Sequence, residues 1–324
     1  MDFNINLFMN VLIIGISTGA VIALIALGYT LVYGVVELIN FAHGEVFMLG
    51  AFFAATVVGL TGVTSKSPGP AIIGTLILGL IGATLFSAAL NWGIDRVAYR
   101  RLRTAPRLVP LIAAIGFSFI FQQMAIYWKG SVPFKPPAII PLDFKSYNIL
   151  KEWFSFDTKI RFRLLDLGVI GITIPLMLAM TYLVYRTRTG KAMRATAQDR
   201  EAAALMGIDV NRSIAFAFLL GGALAGAAGM VVLYYNDSAR FAMGFRYGLY
   251  AFTAAVLGGV GNLTGAVLGG FLIGITAAMS DGFLKELIPG WGAQWTPSVI
   301  FGVLVLVMIF RPTGILGQSQ TEKV

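Results

Sequence analysis

The run FNINLFMNVLIIGISTGAVIALIALGYTLVYGVV, residues 3–36, decides the fold class, because it contains no charged residue over 34 positions. A helix needs ~20 mainly apolar residues to cross a ~30 Å hydrocarbon core. Further uncharged runs follow at residues 46–65, 67–94, 108–128, 167–185, 213–236, 247–280 and 287–310. The pattern predicts an all-α integral membrane protein, with one transmembrane domain over residues 1–324.

The composition agrees with a membrane protein. Hydrophobic residues make up 57% of the 324 and charged residues only 12%, against ~25% charged in an ordinary soluble domain. The net charge of +9 is expected from basic cytoplasmic loops. No basic run alternates with aromatic residues as a single-strand-binding groove would, so we expect lipid and not nucleic acid as a partner. The absence of cysteine excludes disulfides and thiolate chemistry.

Two short basic segments predict the orientation. Residues 95–107 carry five arginines, and residues 186–212 carry six Lys or Arg. Two apolar runs lie between these segments, so both can face one side, and the positive-inside rule makes that side the cytoplasm. The segment 129–166 then forms an external loop, and its prolines argue against a helix at its start.

Two interruptions complicate the number of crossings. The run 247–280 would be ~51 Å long as a helix, too long for one crossing and short for two, and the stretch GGVGN at 258–262 breaks it. The stretch ELINFAHGE at 37–45 places polar residues between two apolar runs. Interrupted helices indicate a transport site. We expect eight or nine transmembrane helices, with one or two broken or re-entrant segments.

Five polar residues are candidates for lining a pathway: Asn40, His43, Glu45, Gln122 and Asn262. Plainer roles stay open for several of them. His43 and Gln122 could instead bond a neighbouring helix, and His43, the only histidine, has no second His or Cys with which to hold a metal. Glu45 would be costly at membrane depth but not at the level of the lipid headgroups, and the sequence leaves both depths open.

The second basic segment contains TGKAMRATAQDREAAALMGID, residues 189–209. Its alanine-rich middle favours a short helix outside the membrane. Gly207 is well placed to end that helix, and Asp209 or Asn211 can cap the next one. Small side chains would let a groove of another protein close around the helix, but its Arg and Lys could equally meet lipid phosphates. The residues alone leave these alternatives open.

The same segment resembles the EAA-type coupling loop of ABC-transporter permeases, in particular the branched-chain amino acid (LivH-type) group. The matching positions are Gly190, Ala192, Arg194, Ala195, Glu201, Ala202, Ala203, Leu205, Gly207 and Ile208. Three further stretches resemble that group: INFAHGE at 39–45, LGGVGNLTGAVLG at 257–269 and RPTG at 311–314. The resemblance spans nearly the whole chain, with its motifs in the right order.

This resemblance implies a permease subunit of an ATP-driven importer in the bacterial inner membrane. The partners it implies are a second homologous permease, two cytoplasmic ATP-binding subunits and a periplasmic substrate-binding protein. The cargo would be branched-chain or related neutral amino acids. The residues implied in ATPase coupling are Arg194, Glu201, Ala202, Ala203, Leu205, Gly207 and Ile208.

We expect no cofactor and no catalysis in this chain, because it lacks the phosphate-binding pattern Gly-x-x-x-x-Gly-Lys-Ser/Thr. ATP hydrolysis would then reside on the partner subunits. One alternative changes the cargo to urea or short amides. Another is a secondary transporter driven by an ion gradient, which the lack of charged residues in the long runs from residue 108 onward disfavours. An intramembrane enzyme would lack a plausible nucleophile–base set.

Overall fold

The computed structural model describes residues 5–38, 40–103, 105–106, 108–154 and 159–317. Ile39 and Arg107, which belong to motifs noted above, lie outside the described residues. Across the described ranges the chain is helical, and its only extended pairings are two single-residue bridges, Phe134 with Ala239 and Asn148 with Arg163. The predicted all-α class is confirmed.

Seven helices are long and apolar enough to cross a membrane. They are α1 Ile5–Val36, α2 His43–Leu60, α3 Gly69–Leu102, α4 Leu108–Lys129, α7 Leu164–Arg186, α10 Val210–Asn236 and α12 Leu263–Leu287. The shorter helices are α5 Leu142–Ser146, α6 Ile149–Phe154, α8 Arg188–Gln198, α9 Arg200–Leu205, α11 Met243–Gly258 and α13 Thr296–Phe310. The predicted number of eight or nine crossings is not confirmed, since α11 and α13 are only 16 and 15 residues long.

Three helices form the centre of the bundle. In α1, α2 and α10, 72%, 72% and 78% of the most apolar stretch is buried within the protein, whereas the values for α3, α4 and α7 are 33%, 28% and 28%. The outer helices still carry apolar side chains on their exposed faces, such as Leu85, Phe119 and Leu178. In a membrane protein this outer face meets lipid, so its exposure carries no hydrophobic penalty.

Close contacts between glycines and neighbouring backbones pack the central helices. A Cβ on Gly274 of α12 would lie 2.2 Å from the Cα of Gly19 in α1, and a Cβ on Gly226 of α10 would lie 2.2 Å from the carbonyl oxygen of Ala83 in α3. Only glycine fits at such distances. Both residues belong to Gly-x-x-x-Gly spacings, at 222–226 and 270–274, so these spacings mark helix contacts, as is typical of membrane interiors.

The run 247–280 divides into two helices at the glycine-rich stretch. Helix α11 ends at Gly258, α12 begins at Leu263, and Gly259 and Gly261 between them have φ values of 105° and 87°. The two helices then pack against each other, with Gly258 touching the carbonyl of Gly265. The predicted interruption is present, and it forms a tight turn between two packed helices.

The two basic segments lie at the same end of the bundle, here called the basic end. Arg103 donates a hydrogen bond of 2.6 Å to Asn211, which joins residues 95–107 to the start of α10. Helix α7 runs from 164 to 186, so the described residues between α4 and α7 lie at the opposite end, here called the far end. There the amide of Asn10, near the start of α1, bonds Lys159 and Arg161.

Candidate functional site

The chain turns back into the bundle between α1 and α2. Glu37 has a φ of 56° and is exposed. His43, the first residue of α2, packs against Gly28, where a Cβ would lie 2.6 Å from its Nε2 atom. Gly28 precedes the end of α1 by eight residues, about 12 Å of helix. Irregular backbone of this kind survives inside a membrane protein only where other protein groups surround and bond it.

Asn40 supplies much of that bonding. Its Oδ1 accepts a hydrogen bond from the amide of Ala42 at 3.1 Å, and its Nδ2 donates to Oδ1 of Asn91 in α3 at 3.1 Å. Asn91 in turn donates to the carbonyl of Phe218 in α10 at 2.6 Å. Asn40 is 2% exposed, so its side chain is committed to holding the turn against α3 and α10.

His43 is buried at the same turn. Its ring lies edge-on to Tyr29 of α1, with the ring centres 4.6 Å apart. The carbonyl of Ile25 lies near the ring, but neither ring nitrogen forms a hydrogen bond of standard geometry with any of the described residues. Buried polar atoms without a partner are costly, so the position of His43 is an unusual feature of this turn.

Glu45 and Gln122, two of the predicted pathway residues, contact each other. The Gln122 Nε2 donates to Oε1 of Glu45 at 2.8 Å, and the hydroxyl of Ser118 donates to the same oxygen at 3.2 Å. Among the described residues the other oxygen, Oε2, has no hydrogen-bond partner, and it faces Gly244 of α11, where a Cβ would lie 2.2 Å away. Glu45 is 1% exposed, so its carboxylate is buried among α2, α4 and α11 and not in contact with solvent.

A cavity of about 510 Å³ adjoins this carboxylate, and we call it the Glu45 cavity. Its polar lining comes from Ser118, Gln122 and Tyr29, and its remaining walls are apolar or glycine, including Phe41 and Gly248. Its volume lies in the ~300–1,000 Å³ range of small-molecule sites, which are also mostly apolar with a few placed polar groups. The cavity therefore suits a small, largely apolar solute.

Asn262 lies apart from this cavity, at the basic end. It caps α12 by accepting a hydrogen bond from the amide of Gly265 at 3.0 Å, and its Nδ2 donates to the carbonyl of Leu316 at 2.8 Å. Leu316 also donates its amide to the carbonyl of Gly258 at 3.1 Å. The two motifs near the C-terminus thus form one packed unit, in which the polar atoms of Asn262 are already used.

The predicted coupling segment contains two helices, whereas the sequence predicted one. Helix α8 ends at Gln198, and Asp199, with a φ of −159°, begins α9. The Asp199 carboxylate accepts hydrogen bonds from the amides of Glu201 and Ala202, both at 2.9 Å. An aspartate at this position satisfies the free amides of a helix start, and so favours a new helix over a continued one.

Helix α9 ends as the sequence predicts. Gly207 has a φ of 82°, its amide donates to Ala204, and the amide of Ile208 donates to Ala203, both at 3.0 Å. These paired bonds to a left-handed glycine form a Schellman motif. Asp209 then caps α10 through the amide of Arg212, as predicted.

The residues of α9 divide between a buried side and an exposed one. Leu205 is 89% exposed and Met206 83%, whereas Ala203 is 4% exposed and packs inward. Glu201, Ala202 and Gly207 are also exposed, Ile208 is half-buried, and Arg194 on α8 is exposed but lies over the ring of Tyr185 at 5.2 Å. Leu205 and Met206 thus form a pair of adjacent exposed apolar side chains outside the spanning helices.

Comparisons with known proteins identify the family. A model described as branched-chain amino acid transport system, permease component, matches residues 11–309. The chain belongs to this permease family.

Two curated relatives carry the same description. The high-affinity branched-chain amino acid transport system permease protein LivH of Escherichia coli (strain K12) is 36% identical over 310 residues, 96% of each chain. The corresponding protein BraD of Pseudomonas aeruginosa is 38% identical over 322 residues, 98% of each chain. A solved structure, PsaBC from Streptococcus pneumoniae in complex with Fab, is 15% identical with a TM-score of 0.45, covering 95% of this chain and 91% of that one, and supports no argument here.

Membership of the branched-chain amino acid permease family establishes the protein class. The chain is a multi-pass protein of the inner membrane and a transporter component, and its family is not one of enzymes. The Glu45 cavity and the exposed side of α9 are therefore features of a permease.

One contact in this permease was not predicted from the sequence. Arg200, the first residue of α9, donates through Nη2 to the carbonyls of Val36 at 2.6 Å and Val35 at 3.3 Å. These carbonyls end α1, immediately before the turn that leads to Asn40 and His43. No local pattern indicates a partner 164 residues away, and the sequence analysis treated Arg200 only as one of the basic residues of its loop.

Proposed function

We propose that this permease forms part of the membrane pathway of an ATP-driven importer for branched-chain or related neutral amino acids. Its partners would be a second homologous permease, two cytoplasmic ATP-binding subunits and a periplasmic substrate-binding protein. The observation that carries the proposal is the pair Leu205 and Met206, exposed on a short helix that Arg200 ties to the end of α1.

The shape of α9 supports a role in force transmission. The helix is capped by Asp199 at its start and by the Gly207 motif at its end, so it can move as one body. An ATP-binding subunit that holds Leu205 and Met206 would displace α9, and Arg200 would carry that displacement to α1. The basic end would then face the cytoplasm, as the positive-inside rule expects.

The Glu45 cavity supports the pathway assignment. Its apolar walls suit an aliphatic side chain, and the amide of Gln122 and the hydroxyls of Ser118 and Tyr29 offer polar groups for a neutral solute. Asn40 and His43 would hold the turn that forms one wall, and Asn262 would anchor the C-terminal segment. A shift of α1 would then alter the cavity through this turn, as in switching between two packed arrangements.

Helix α13 supports an eighth crossing. Its 15 residues are apolar, and it packs on α11 and α12. Helix α11 is similarly short but, unlike α13, carries a charged residue, Arg246, in its first turn, so it would enter the bilayer without crossing it alone.

A co-purification experiment tests the coupling assignment. Leu205→Glu should abolish association with the ATP-binding subunits, because it places a charge in an apolar contact, while membrane insertion stays intact. Leu60→Glu is the matched control. Leu60 is 82% exposed, but it is the last residue of α2 and lies at the far end of the bundle. Normal association of the Leu205→Glu variant would refute the assignment.

An uptake experiment tests the cargo. The complete importer, reconstituted in proteoliposomes with its binding protein, should take up leucine and valine when ATP is supplied. Uptake of glutamate, proline and urea is measured in the same way for comparison. Uptake of urea without uptake of any amino acid would overturn the proposed cargo.

A further inference from the structure

A second cavity, of about 430 Å³, lies at the far end between α1, α10, α11 and α12. Unlike the Glu45 cavity, it contains two charged side chains of opposite sign, Arg246 of α11 and Asp281 of α12. Tyr247, Tyr250 and Asn236 add further polar groups. We call this space the far-end cavity, and the coupling and pathway assignments above make no use of it.

The ion pair in this cavity is long and partly exposed. Arg246 Nη2 and Asp281 Oδ2 are 3.5 Å apart, and each side chain is 37% exposed. By contrast, Arg103 and Asp95 are 2.6 Å apart, with exposures of 10% and 2%. A separation of 3.5 Å is at the outer limit of a hydrogen bond, and an exposed pair contributes little to stability. A ligand that offers a carboxylate and an ammonium group can therefore replace this contact at little cost.

Both charges are nevertheless held in position by other groups. Asp281 lies in a π-helical turn, Met279–Phe283, within α12, and its Oδ1 accepts a hydrogen bond from the hydroxyl of Thr296. Arg246 donates through Nε to the hydroxyl of Tyr250 at 3.1 Å. Single π-helical turns occur frequently at functional sites. These contacts leave the Nη2 edge of Arg246 and the Oδ2 of Asp281 to face each other across the opening.

One wall of the far-end cavity is apolar. It is lined by Val11 and Ile14 of α1 together with Ala277 and Ala278 of α12. The cavity thus combines a fixed cation, a fixed anion and an aliphatic wall. An α-amino acid at neutral pH carries the complementary three groups: a carboxylate, an ammonium group and, in the branched-chain class, an aliphatic side chain.

We propose that the far-end cavity binds the zwitterionic amino acid as it enters the permease. Arg246 receives the carboxylate, Asp281 receives the ammonium group, and the aliphatic side chain lies against Val11 and Ile14. Guanidinium groups suit carboxylates because two parallel hydrogen bonds can form. The inference rests on the proposed function and adds to it the site at which an entering amino acid first binds this chain.

The position of α11 between the two cavities supports an entry site. Gly244 and Gly248 line the Glu45 cavity, whereas Arg246 and Tyr250 line the far-end cavity. The first turns of α11 thus separate the two spaces. A solute held at Arg246 would need only a movement of this part of α11 to reach the Glu45 cavity.

Uptake and ATP hydrolysis, measured together in the reconstituted importer, test the proposal. We expect Arg246→Gln and Asp281→Asn each to lower leucine uptake by about tenfold or more, the effect of losing a hydrogen bond to a charged group. ATP hydrolysis stimulated by the binding protein should stay at the wild-type rate, because the coupling surface is untouched. The matched control is Lys145→Gln, which removes the far-end ion pair with Asp237 outside the cavity.

A double variant separates ligand binding from a purely structural role. Arg246→Asp combined with Asp281→Arg restores an ion pair between α11 and α12 but reverses the direction in which a zwitterion would lie. We expect uptake to remain low. Wild-type uptake in the double variant, or in both single variants, would overturn the proposal while leaving the proposed function intact. A wild-type importer that moves no branched-chain amino acid would overturn the proposed function itself.

Photochemical labelling keeps the proposal testable if a variant fails to assemble. Photo-leucine, an analogue of leucine with a diazirine in its side chain, should label the wild-type complex at the apolar wall, within residues 11–14 or 277–282, and excess leucine should suppress the labelling. Labelling confined to other segments, or not suppressed by leucine, would overturn the proposal.

Discussion

Removal of the Arg200 guanidinium should uncouple ATP hydrolysis from transport. Arg200 is the first residue of α9, and its Nη2 bonds the carbonyls of Val36 and Val35 at the end of α1. It is the only side chain of α9 with a hydrogen bond to α1 among the described residues. Arg200→Ala leaves α9 folded, because Asp199 and Gly207 still cap it.

The size of the effect follows from these two contacts. Hydrogen bonds to a charged group contribute about 1.5–3 kcal/mol when well formed, and a positive charge at a helix C-terminus adds about 0.3–1 kcal/mol. The 2.6 Å bond to Val36 is strong and the 3.3 Å bond to Val35 is weak, and Arg200 is only half-buried. We therefore expect Arg200→Ala to weaken the link between α9 and the end of α1 by about 2 kcal/mol. This is equivalent to about a thirtyfold change in the equilibrium between the linked and the unlinked arrangement of the two helices.

The assay is the number of amino acids moved per ATP hydrolysed by the importer in proteoliposomes. Arg200→Ala should lower this ratio severalfold while the ATP-binding subunits remain bound and active. Arg200→Lys, which keeps the positive charge, should lower this ratio by a smaller factor. Lys191→Ala is the control, because Lys191 lies on the same loop and is exposed, and its side chain forms no hydrogen bond or ion pair among the described residues. An unchanged ratio in Arg200→Ala would refute the transmission argument.

Two further predictions concern stability and the cavity. Glu45→Ala should lower the thermal stability of the purified permease and reduce uptake. It removes the acceptor of the 2.8 Å bond from Gln122 and of the 3.2 Å bond from Ser118, and leaves the Gln122 amide only its 3.4 Å contact with the Ser118 hydroxyl, a loss of about 1–3 kcal/mol. Glu45→Gln, which keeps an acceptor oxygen, should unfold closer to the wild-type temperature, and equal losses in both variants would contradict the argument. Gly274→Ala should destabilise by about 1–3 kcal/mol, because its Cβ would meet Gly19 at 2.2 Å, whereas Gly168→Ala in α7, with no atom within 4 Å, should be neutral or slightly stabilising.

The sequence predicts features that depend on neighbouring residues. Charge-free runs mark the long helices, because the bilayer excludes charge over a fixed length. Gly207 and Asp209 could be assigned because caps depend on local backbone geometry. The break at Asp199 had a local signal too, since aspartate is a strong N-cap and a poor helix interior residue, but the high helix propensity of the surrounding alanines obscured it.

Features that join distant parts of the chain could not be predicted in this way. Glu45 and Gln122 were each candidates, yet nothing in the sequence indicates that one bonds the other across 77 positions. Arg246 and Asp281 flank the charge-free run 247–280, and nothing in the sequence indicates that they pair. Their pairing follows from the packing of α11 on α12, which brings both ends of that run together. Tertiary contacts of this kind depend on helix packing and not on local pattern.

The most direct test of the account measures whether the ATP-binding subunits cover α9. The chain contains no cysteine, so Met206→Cys introduces a single thiol at an 83% exposed position. Its reaction with a maleimide should be fast in the isolated permease and strongly slowed in the assembled importer, while Leu60→Cys at the far end reacts equally in both. Equal reaction rates of the Met206→Cys thiol with and without the ATP-binding subunits would contradict the account.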